Sequence, residues 1–378
     1  MSSSFPTIGI LGGGQLGRMS AMAALRIGFG VRTLSPVSSP SVEGIGQAHV
    51  GDWTDRSVLD RFVSRCDVIT VESEWAPAER AEEVAAERIP MYPTGQTLHT
   101  IRHKGRQKNA LHRAGIPVSD YACCSMLEDA KRAVSAFGFP VLFKKFEGSY
   151  DGYGNATIRT PGDMKPAWDK LAAEDGLLVE AFVPFRRELA IIVVRSPSGV
   201  HVTYPVVHTI QRDHRCHAVL APAPLPATVT TRVEELARRA ADTVGAVGLL
   251  GVELFEHEDG SILINELAPR PHNTGHYTIE ACHTSQFENH VRSVAGWPLG
   301  DASLRVPAAA MVNILGTRTG KAETKGMREA MAVCGASIHI YGKQEVRPRR
   351  KMGHVTVTAA TTEEALARAE EAAGYIHL

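Results

Sequence analysis

The chain has 378 residues, 44% hydrophobic and 22% charged, which is the make-up of a globular protein too long for one core and suited to several compact units. Lys plus Arg and Asp plus Glu both number 41, so the formal net charge is zero and the basic excess expected of a nucleic-acid-binding protein is absent. No run approaches the roughly 18 apolar residues of a membrane span, the N-terminus lacks the basic start of a signal peptide, and the six scattered cysteines form no CxxC pair or zinc spacing. A cytoplasmic protein with free thiols is expected.

Thr7 to Leu11 is a short apolar run ending in the turn Gly12-Gly13-Gly14-Gln15-Leu16-Gly17, after which a helix continues through Met19 to Leu25. Val31 to Leu34 reads as a second strand, Val58 to Val63 as a helix and Asp67 to Val71 as a third strand. Strands alternating with helices give a parallel, doubly wound unit. Lys104 to Ala114 is helical and stops at Gly115-Ile116-Pro117; Glu128 to Phe137 is a helix and Pro140 to Lys145 a strand. The polar loop Glu147 to Asn155 follows, and a strand–glycine loop–strand unit of this size reads as a lid. Strands dominate the next, α+β body: Leu189 to Arg195, His201 to Val207, Gly251 to Glu256 and Ser261 to Asn265, with a helix at Thr230 to Val244. The last portion holds short strands at Ser337 to Tyr341 and His354 to Thr358 and a helix from Thr362. Domain boundaries are expected at residues 1–103, 104–183, 184–307 and 308–378.

Gly12-x-Gly14-x-x-Gly17, between a strand and a helix, meets the dinucleotide fingerprint as a pattern. Glycines let the backbone approach an anion, and a helix N-terminus attracts it. A dinucleotide enzyme places Asp or Glu at the end of its second strand; here that end reads Leu34-Ser35-Pro36, although Arg32 and Ser35 would suit a 2′-phosphate. The turn is expected to hold the phosphate of another ligand, with an NADP-linked oxidoreductase and a purely structural turn as alternatives.

Gly251 to Phe255 and Ile262 to Glu266 are apolar runs interrupted by Glu253 and Glu266, and the hairpin-sized link between them contains Asp259-Gly260. In an antiparallel pair both carboxylates would share a face, beside Asn265. Carboxylates among apolar neighbours need a compensating cation or donor, and Mg²⁺ binds through one or two carboxylates plus phosphate oxygens. The alternative is an exposed pair on an edge strand. Lys144 ends an apolar strand, and the loop from Ser149 to Asn155 offers backbone N–H groups to phosphate oxygens, or else is a surface turn.

Taken together, IGILGGGQLGRM (8–19), SYDGYGN (149–155), NELAPRPHNTGHYTIEACHTSQFENH (265–290), MVNILG (311–316), IHIYGK (338–343) and RRKMGH (349–354) resemble the ATP-grasp superfamily and, within it, the 5-(carboxyamino)imidazole ribonucleotide synthases. The 265–290 block is the most specific, because other ATP-grasp enzymes keep Asn-Glu without the Pro-His-Asn-Thr-Gly-His continuation. The resemblance implies an ATP-grasp fold in α/β and α+β parts, with an N-terminal doubly wound pre-ATP-grasp domain and a small C-terminal domain. It implies ATP and Mg²⁺, aminoimidazole ribonucleotide and bicarbonate as substrates, a homodimer, and carboxylation through carboxyphosphate; a paralogous ligase for another amine is the nearer alternative. By position, Lys104, Lys144, the loop residues Ser149, Tyr150, Asp151, Gly152, Tyr153, Gly154 and Asn155, then Glu180-Ala181-Phe182-Val183, Glu188, Gln211, Asn265 and Glu266 would contact ATP, with Glu253 and Glu266 holding the metal. Gln15, Leu16, Glu74, Tyr150, Asp151, Arg270, His272, Asn273, Lys343, Arg350 and Lys351 would face the ribonucleotide, with Arg270, Lys343 and Arg350 as the catalytic cations. A zinc site from His272 and His276 is not expected, since no third ligand is evident. The chain departs from the family at His103-Lys104 (usually Asp-Arg), in the lid at Ser149, Tyr153 and Asn155, at Gln211, and at Pro348-Arg349, where glycine is common.

Overall fold

Four apolar or β-branched runs at the start of the chain pair in parallel in the computed structural model, which describes residues 5–86, 88–148, 154–172, 175–213, 215–323 and 325–378. They are β1 (Thr7–Leu11), β2 (Gly30–Ser35), β3 (Gln47–Val50) and β4 (Val68–Val71), in the spatial order β3-β2-β1-β4. Ile8, Ile10, Leu11 and all of β4 are buried, as a parallel sheet covered on both faces requires. Because β3 intervenes, Val68–Val71 is the fourth strand and not the third. The edge strand β3 is mostly exposed, so it carries none of the apolar patterning by which a strand is recognised.

The second sheet is antiparallel and contains β5 (Tyr121–Cys124), β6 (Val141–Lys145), β7 (Asn155–Ile158) and β8 (Leu177–Ala181), in the order β5-β8-β6-β7. Strand β6 carries Lys144, and β8 brings Glu180 beside it.

The largest sheet begins with β9 (Arg187–Arg195), β10 (His201–Thr203), β11 (Val207–Arg212), β12 (Arg215–Ala221), β13 (Gly248–Glu256), β14 (Ile262–Ala268) and β15 (Ala308–Leu315). The single strand expected over His201 to Val207 is two. Pro205 has no N–H to continue a ladder, and the chain turns inward there, where the Tyr204 hydroxyl donates to the Thr284 carbonyl at 2.9 Å. Beyond β15, β16 (Gly320–Lys321) and β18 (Glu345–Val346) form a small ribbon, while β17 (Ala336–Ile340) and β19 (Lys351–Ala359) return to the large sheet. Its order is β14-β13-β9-β11-β12-β15-β19-β17, with β10 on β9, so the C-terminal strands extend the sheet of the body. Helix Thr362–Tyr375 covers this end with Ala365, Ala369 and Ala372, whose small side chains allow close approach to Val355 and Val357.

One buried histidine joins the first sheet to the large one. His290, on helix Gln286–Val294, accepts the Leu249 N–H at Nδ1 (3.2 Å), so its proton is on Nε2, 2.9 Å from the Thr70 hydroxyl. Burial holds its pKa down at about 4. The unfolded chain then binds this proton at higher pH than the folded one, so the stability it confers is present above pH ~6.5 and lost as the pH falls toward 4. Acidification through that window is expected to remove about 3 kcal/mol. Urea midpoints of wild type and His290→Asn at pH 7 and pH 5 check this; a difference between the proteins that does not narrow with acidity would refute it.

Candidate active site

The acidic centre forms where β13 meets the edge strand β14. Glu253 stands opposite Glu266, but Leu254 stands opposite Ile264, so Asn265 is an extra residue in a β-bulge. The bulge locally redirects β14 and sets Asn265 and Glu266 together against Glu253. Glu266 accepts from Lys104 Nζ at 2.7 Å, and His272 Nε2 lies 3.6 Å from Glu253. Burial first, then repulsion by Glu266 and Glu188, pushes the Glu253 carboxyl up to about 7. Burial opposes the charge on Lys104, but Glu266, with Glu180 and Glu253, outweighs it and holds the ammonium above its ordinary pKa. Glu253 keeps 36% of its side-chain exposure and Glu266 42%, so neither side chain is sealed in the core.

This donor set fits a divalent cation. Two neighbouring carboxylates repel each other, and a hard cation relieves that repulsion with oxygen ligands of the type Mg²⁺ prefers. Among the described residues no three His, Cys, Asp or Glu side chains close into a metal cage. Such an open pair suits a metal that keeps water and shares phosphate oxygens. Gathered with Lys104 and His272, the pair is not an isolated surface feature of an edge strand.

Next to it, Glu180 is buried between two lysines. Lys108 Nζ is 2.9 Å from one carboxylate oxygen, and Lys144 pairs with the other. Burial works against this carboxylate, but Lys144 and then Lys108 hold it ionised and draw its pKa down to about 2. Lys108 also donates to the Ser119 hydroxyl at 3.1 Å. The sequence reading overlooked Lys108, although its spacing of four from Lys104 puts both on one face of helix Lys104–Arg113. Ahead of that helix the His103 ring accepts the Arg106 N–H at 3.1 Å as its N-cap and stacks on Phe146 at 4.4 Å, so an imidazole does the work of an aspartate cap.

Other residues expected around the nucleotide come from β8 and the segment after it, from β9 and from β11. After Glu180, Ala181 is part-buried, Phe182 exposed and Val183 buried. Glu188 lies on β9 opposite Phe255, and Gln211 is exposed on β11 opposite Cys216, at a second register shift. Of the loop, Ser149, Tyr150, Asp151, Gly152 and Tyr153 lie outside the described residues. Gly154 has φ 82° and accepts the Lys145 N–H at 2.9 Å, and Asn155 stands opposite Lys144.

The glycine turn is already filled by the chain's own anion. Glu72, just past β4, accepts the Gly14 N–H at 2.6 Å and the Gly17 N–H at 2.8 Å. A Cβ at Gly14 would lie 2.8 Å from Glu72 Oε1, so the glycine there makes room for this carboxylate. Two of the turn's N–H donors, those of Gly14 and Gly17, are therefore engaged by Glu72 and not open to a ligand phosphate. The dinucleotide alternative fares no better: Arg32 contacts His49 Nε2 at 3.1 Å, and Ser35 donates to the Val37 carbonyl at 2.7 Å. Burial raises the Glu72 carboxyl despite its two N–H donors, and Arg270 and Lys343 act in the opposite sense. Gln15 and Leu16 open the helix beyond the turn, with Leu16 packed on Met19, Phe287 and Tyr341.

Arg270 and Glu74, 196 residues apart, form a fork: Nε to Oε2 is 2.5 Å and Nη2 to Oε1 is 3.1 Å. His272 Nδ1 meets the Thr274 hydroxyl at 2.8 Å. Asn273 and Asn313 exchange side-chain amide bonds of 2.9 and 2.8 Å, so Asn273 is engaged by the asparagine of the MVNILG motif, to which the sequence reading gave no role of its own. Lys343 donates to the Lys351 carbonyl at 2.6 Å and lies 5.5 Å from the Tyr341 ring centre. Arg350 donates to the Glu345 carbonyl at 2.8 Å. Arg349 takes φ 69°, a left-handed conformation that favours glycine, in a turn pinned by its N–H on the Gly316 carbonyl at 2.7 Å.

Comparisons with known proteins agree with the fold described above. The ribonucleotide synthetase pre-ATP-grasp domain profile matches residues 5–102, the ATP-grasp domain profile residues 109–287, and the phosphoribosylaminoimidazole carboxylase C-terminal domain profile residues 309–368. An N5-carboxyaminoimidazole ribonucleotide synthase of Mycobacterium tuberculosis is 38% identical, covering 98% of this chain and 88% of its own. A phosphoribosylaminoimidazole carboxylase of Schizosaccharomyces pombe is 39% identical over 94% of this chain, which spans only 66% of that longer protein. The crystal structure of the Thermotoga maritima N5-carboxyaminoimidazole ribonucleotide synthetase superposes with a TM-score of 0.88 at 38% identity, covering 99% of each chain. The Aspergillus clavatus N5-carboxyaminoimidazole synthase, in complex with ADP and 5-aminoimidazole ribonucleotide, gives 0.89 at 33% identity and 98% of each. By sequence over nearly its whole length and by fold, the chain belongs to the N5-carboxyaminoimidazole ribonucleotide synthase family of ATP-grasp proteins.

Proposed function

We propose that this protein carboxylates 5-aminoimidazole ribonucleotide with bicarbonate at the expense of ATP, giving N5-carboxyaminoimidazole ribonucleotide, ADP and phosphate in purine biosynthesis. A bicarbonate oxygen attacks the γ-phosphorus and the bond to the β–γ bridging oxygen breaks, giving carboxyphosphate and ADP. The exocyclic amine then attacks the carboxyl carbon, phosphate departs, and the amine nitrogen loses a proton. The observation that carries this reading is the meeting of Glu253 and Glu266 across β13 and β14, beside Lys104 and the Lys108–Glu180–Lys144 group.

Glu253 and Glu266 would hold Mg²⁺, which when bound neutralises charge on the transferred phosphoryl. Lys104 and Lys144 bind the polyphosphate, Asn265 flanks it, and Glu188 accepts ribose hydroxyls of ATP. Around the ribonucleotide, Arg270 is held by Glu74, with His272 beside Glu253 and Lys343 as a further cation acting, like Arg270, on Glu72. Holding two anionic reactants together is the entropic part of the catalysis. The lid loop, the homodimer, a cytoplasmic location and the four-part division at 103, 183 and 307 belong to the same proposal.

ADP release in the presence of ATP, Mg²⁺ and bicarbonate should depend on added 5-aminoimidazole ribonucleotide; release no faster with that amine than without it would remove the substrate assignment. Lys343→Ala is expected to raise the KM for the ribonucleotide at least ~10-fold, with less effect on that for ATP. Initial rates with each substrate varied in turn check this, and equal changes in both constants would make Lys343 a structural residue.

A further inference from the structure

Arg270, His272 and Asn273 lie on a segment that follows β14 and is neither strand nor α-helix until the short 3₁₀ turn Asn273–Gly275. Such a segment needs another source of rigidity if it is to aim three side chains. Its backbone polar groups find a partner in Gln286, the first residue of helix Gln286–Val294, whose side chain is fully buried. Gln286 Oε1 accepts the His272 N–H at 2.9 Å, and Gln286 Nε2 donates to the His272 carbonyl at 2.8 Å. One side-chain amide thus pairs with both main-chain groups of a single residue, as a neighbouring strand would. Nε2 also lies 2.9 Å from His276 Nδ1. Because this nitrogen can only donate, His276 Nδ1 is an acceptor and the imidazole proton sits on Nε2.

The amide packs directly against the turn. A Cβ on Gly275 would fall 2.6 Å from Gln286 Oε1, so glycine at 275 lets the amide lie against the turn. Thr278 ties the two ends together: its hydroxyl donates to the Gly275 carbonyl at 2.6 Å and accepts the Gln286 N–H at 2.9 Å. With its main chain held this way, His272 presents Nε2 to Glu253 at 3.6 Å.

We propose that Gln286 is a positioning residue for the ribonucleotide site: its buried amide clamps the main chain of His272 and the ring of His276, and thereby fixes Arg270 and His272 relative to Glu253. Gln286 touches no reactant. Its effect reaches catalysis through the segment it holds, so it should bear on the ribonucleotide and not on ATP.

Gln286→Glu tests this at constant shape, since a carboxylate keeps the acceptor for the His272 N–H but cannot donate to the His272 carbonyl or to His276 Nδ1. The expected result is a KM for the ribonucleotide raised at least ~10-fold, with the KM for ATP within about twofold of wild type. Gly275→Ala, which displaces the amide without altering it, should reproduce the same split. A Gln286→Glu protein that fails to fold, constants that move together, or a Gly275→Ala protein with wild-type constants would assign Gln286 to packing alone and overturn the proposal. The inference rests on the function proposed above, and the two fail differently: no ribonucleotide-dependent ADP release from the unaltered protein faults the function, whereas normal release with unsplit constants faults only the role of Gln286.

Discussion

Glu253→Gln is expected to lower ATP turnover at least ~100-fold and yet to stabilise the nucleotide-free protein at alkaline pH. Both effects come from one feature, a carboxyl raised to about 7 by burial and by Glu266 and Glu188. For an acid whose pKa is higher in the folded state, the favourable contribution is complete below the unfolded value near 4.5 and is lost as the pH rises through about 7. At pH 8 the free protein therefore carries an uncompensated repulsion that the neutral amide lacks. The variant's advantage in urea midpoint should grow between pH 5 and pH 8, and ATP with Mg²⁺ should raise the midpoint of wild type more than that of the variant. A pH-independent difference between the two proteins would mean that Glu253 is not the strained acid described here. Turnover unchanged at low Mg²⁺ would remove it from the metal site.

Arg270→Ala should be the most damaging single change to the substrate side, costing about 3–5 kcal/mol of stability as well as ribonucleotide-dependent turnover. Its fork with Glu74 is largely enclosed, with side-chain exposures of 22% and 16%. Burial opposes ionisation of Glu74, and Arg270 is what holds its carboxyl below the ordinary value. Removing the guanidinium leaves that charge unpaired in a low-dielectric site and also takes away a cation that favours the ionised form of Glu72. The double variant Arg270→Ala/Glu74→Ala should recover a substantial part of the lost stability, because the orphaned charge goes too, but none of the turnover. Chemical denaturation of the two single variants and the double variant measures the coupling; additive losses would show that the fork contributes nothing as a pair.

Much of the site was legible where the interacting residues are neighbours in sequence. The hairpin of β13 and β14 closes over a few residues with Asp259-Gly260 in its turn, so the pairing of Glu253 with Glu266 follows from alternation and hairpin geometry. The bulge at Asn265 does not, since an extra residue changes register without changing composition. Strand β3 was invisible because an exposed edge carries no apolar pattern, and the break at Pro205 was hidden by the apolar residues on either side of it.

The sequence alone determined the layered α/β and α+β plan, the acidic hairpin, the lysine at the end of β6 and the motifs that mark the family. These rest on periodicity, turn chemistry and local spacing, which act over a few residues. Only the tertiary structure decided what the glycine turn holds, because its donors meet Glu72 across separations of 58 and 55 residues. The same is true of the Arg270–Glu74 fork, of the Asn273–Asn313 exchange and of Lys108 beneath Glu180. A glycine-rich helix N-terminus attracts any anion, and the anion it receives is whichever one the packing of distant elements places there.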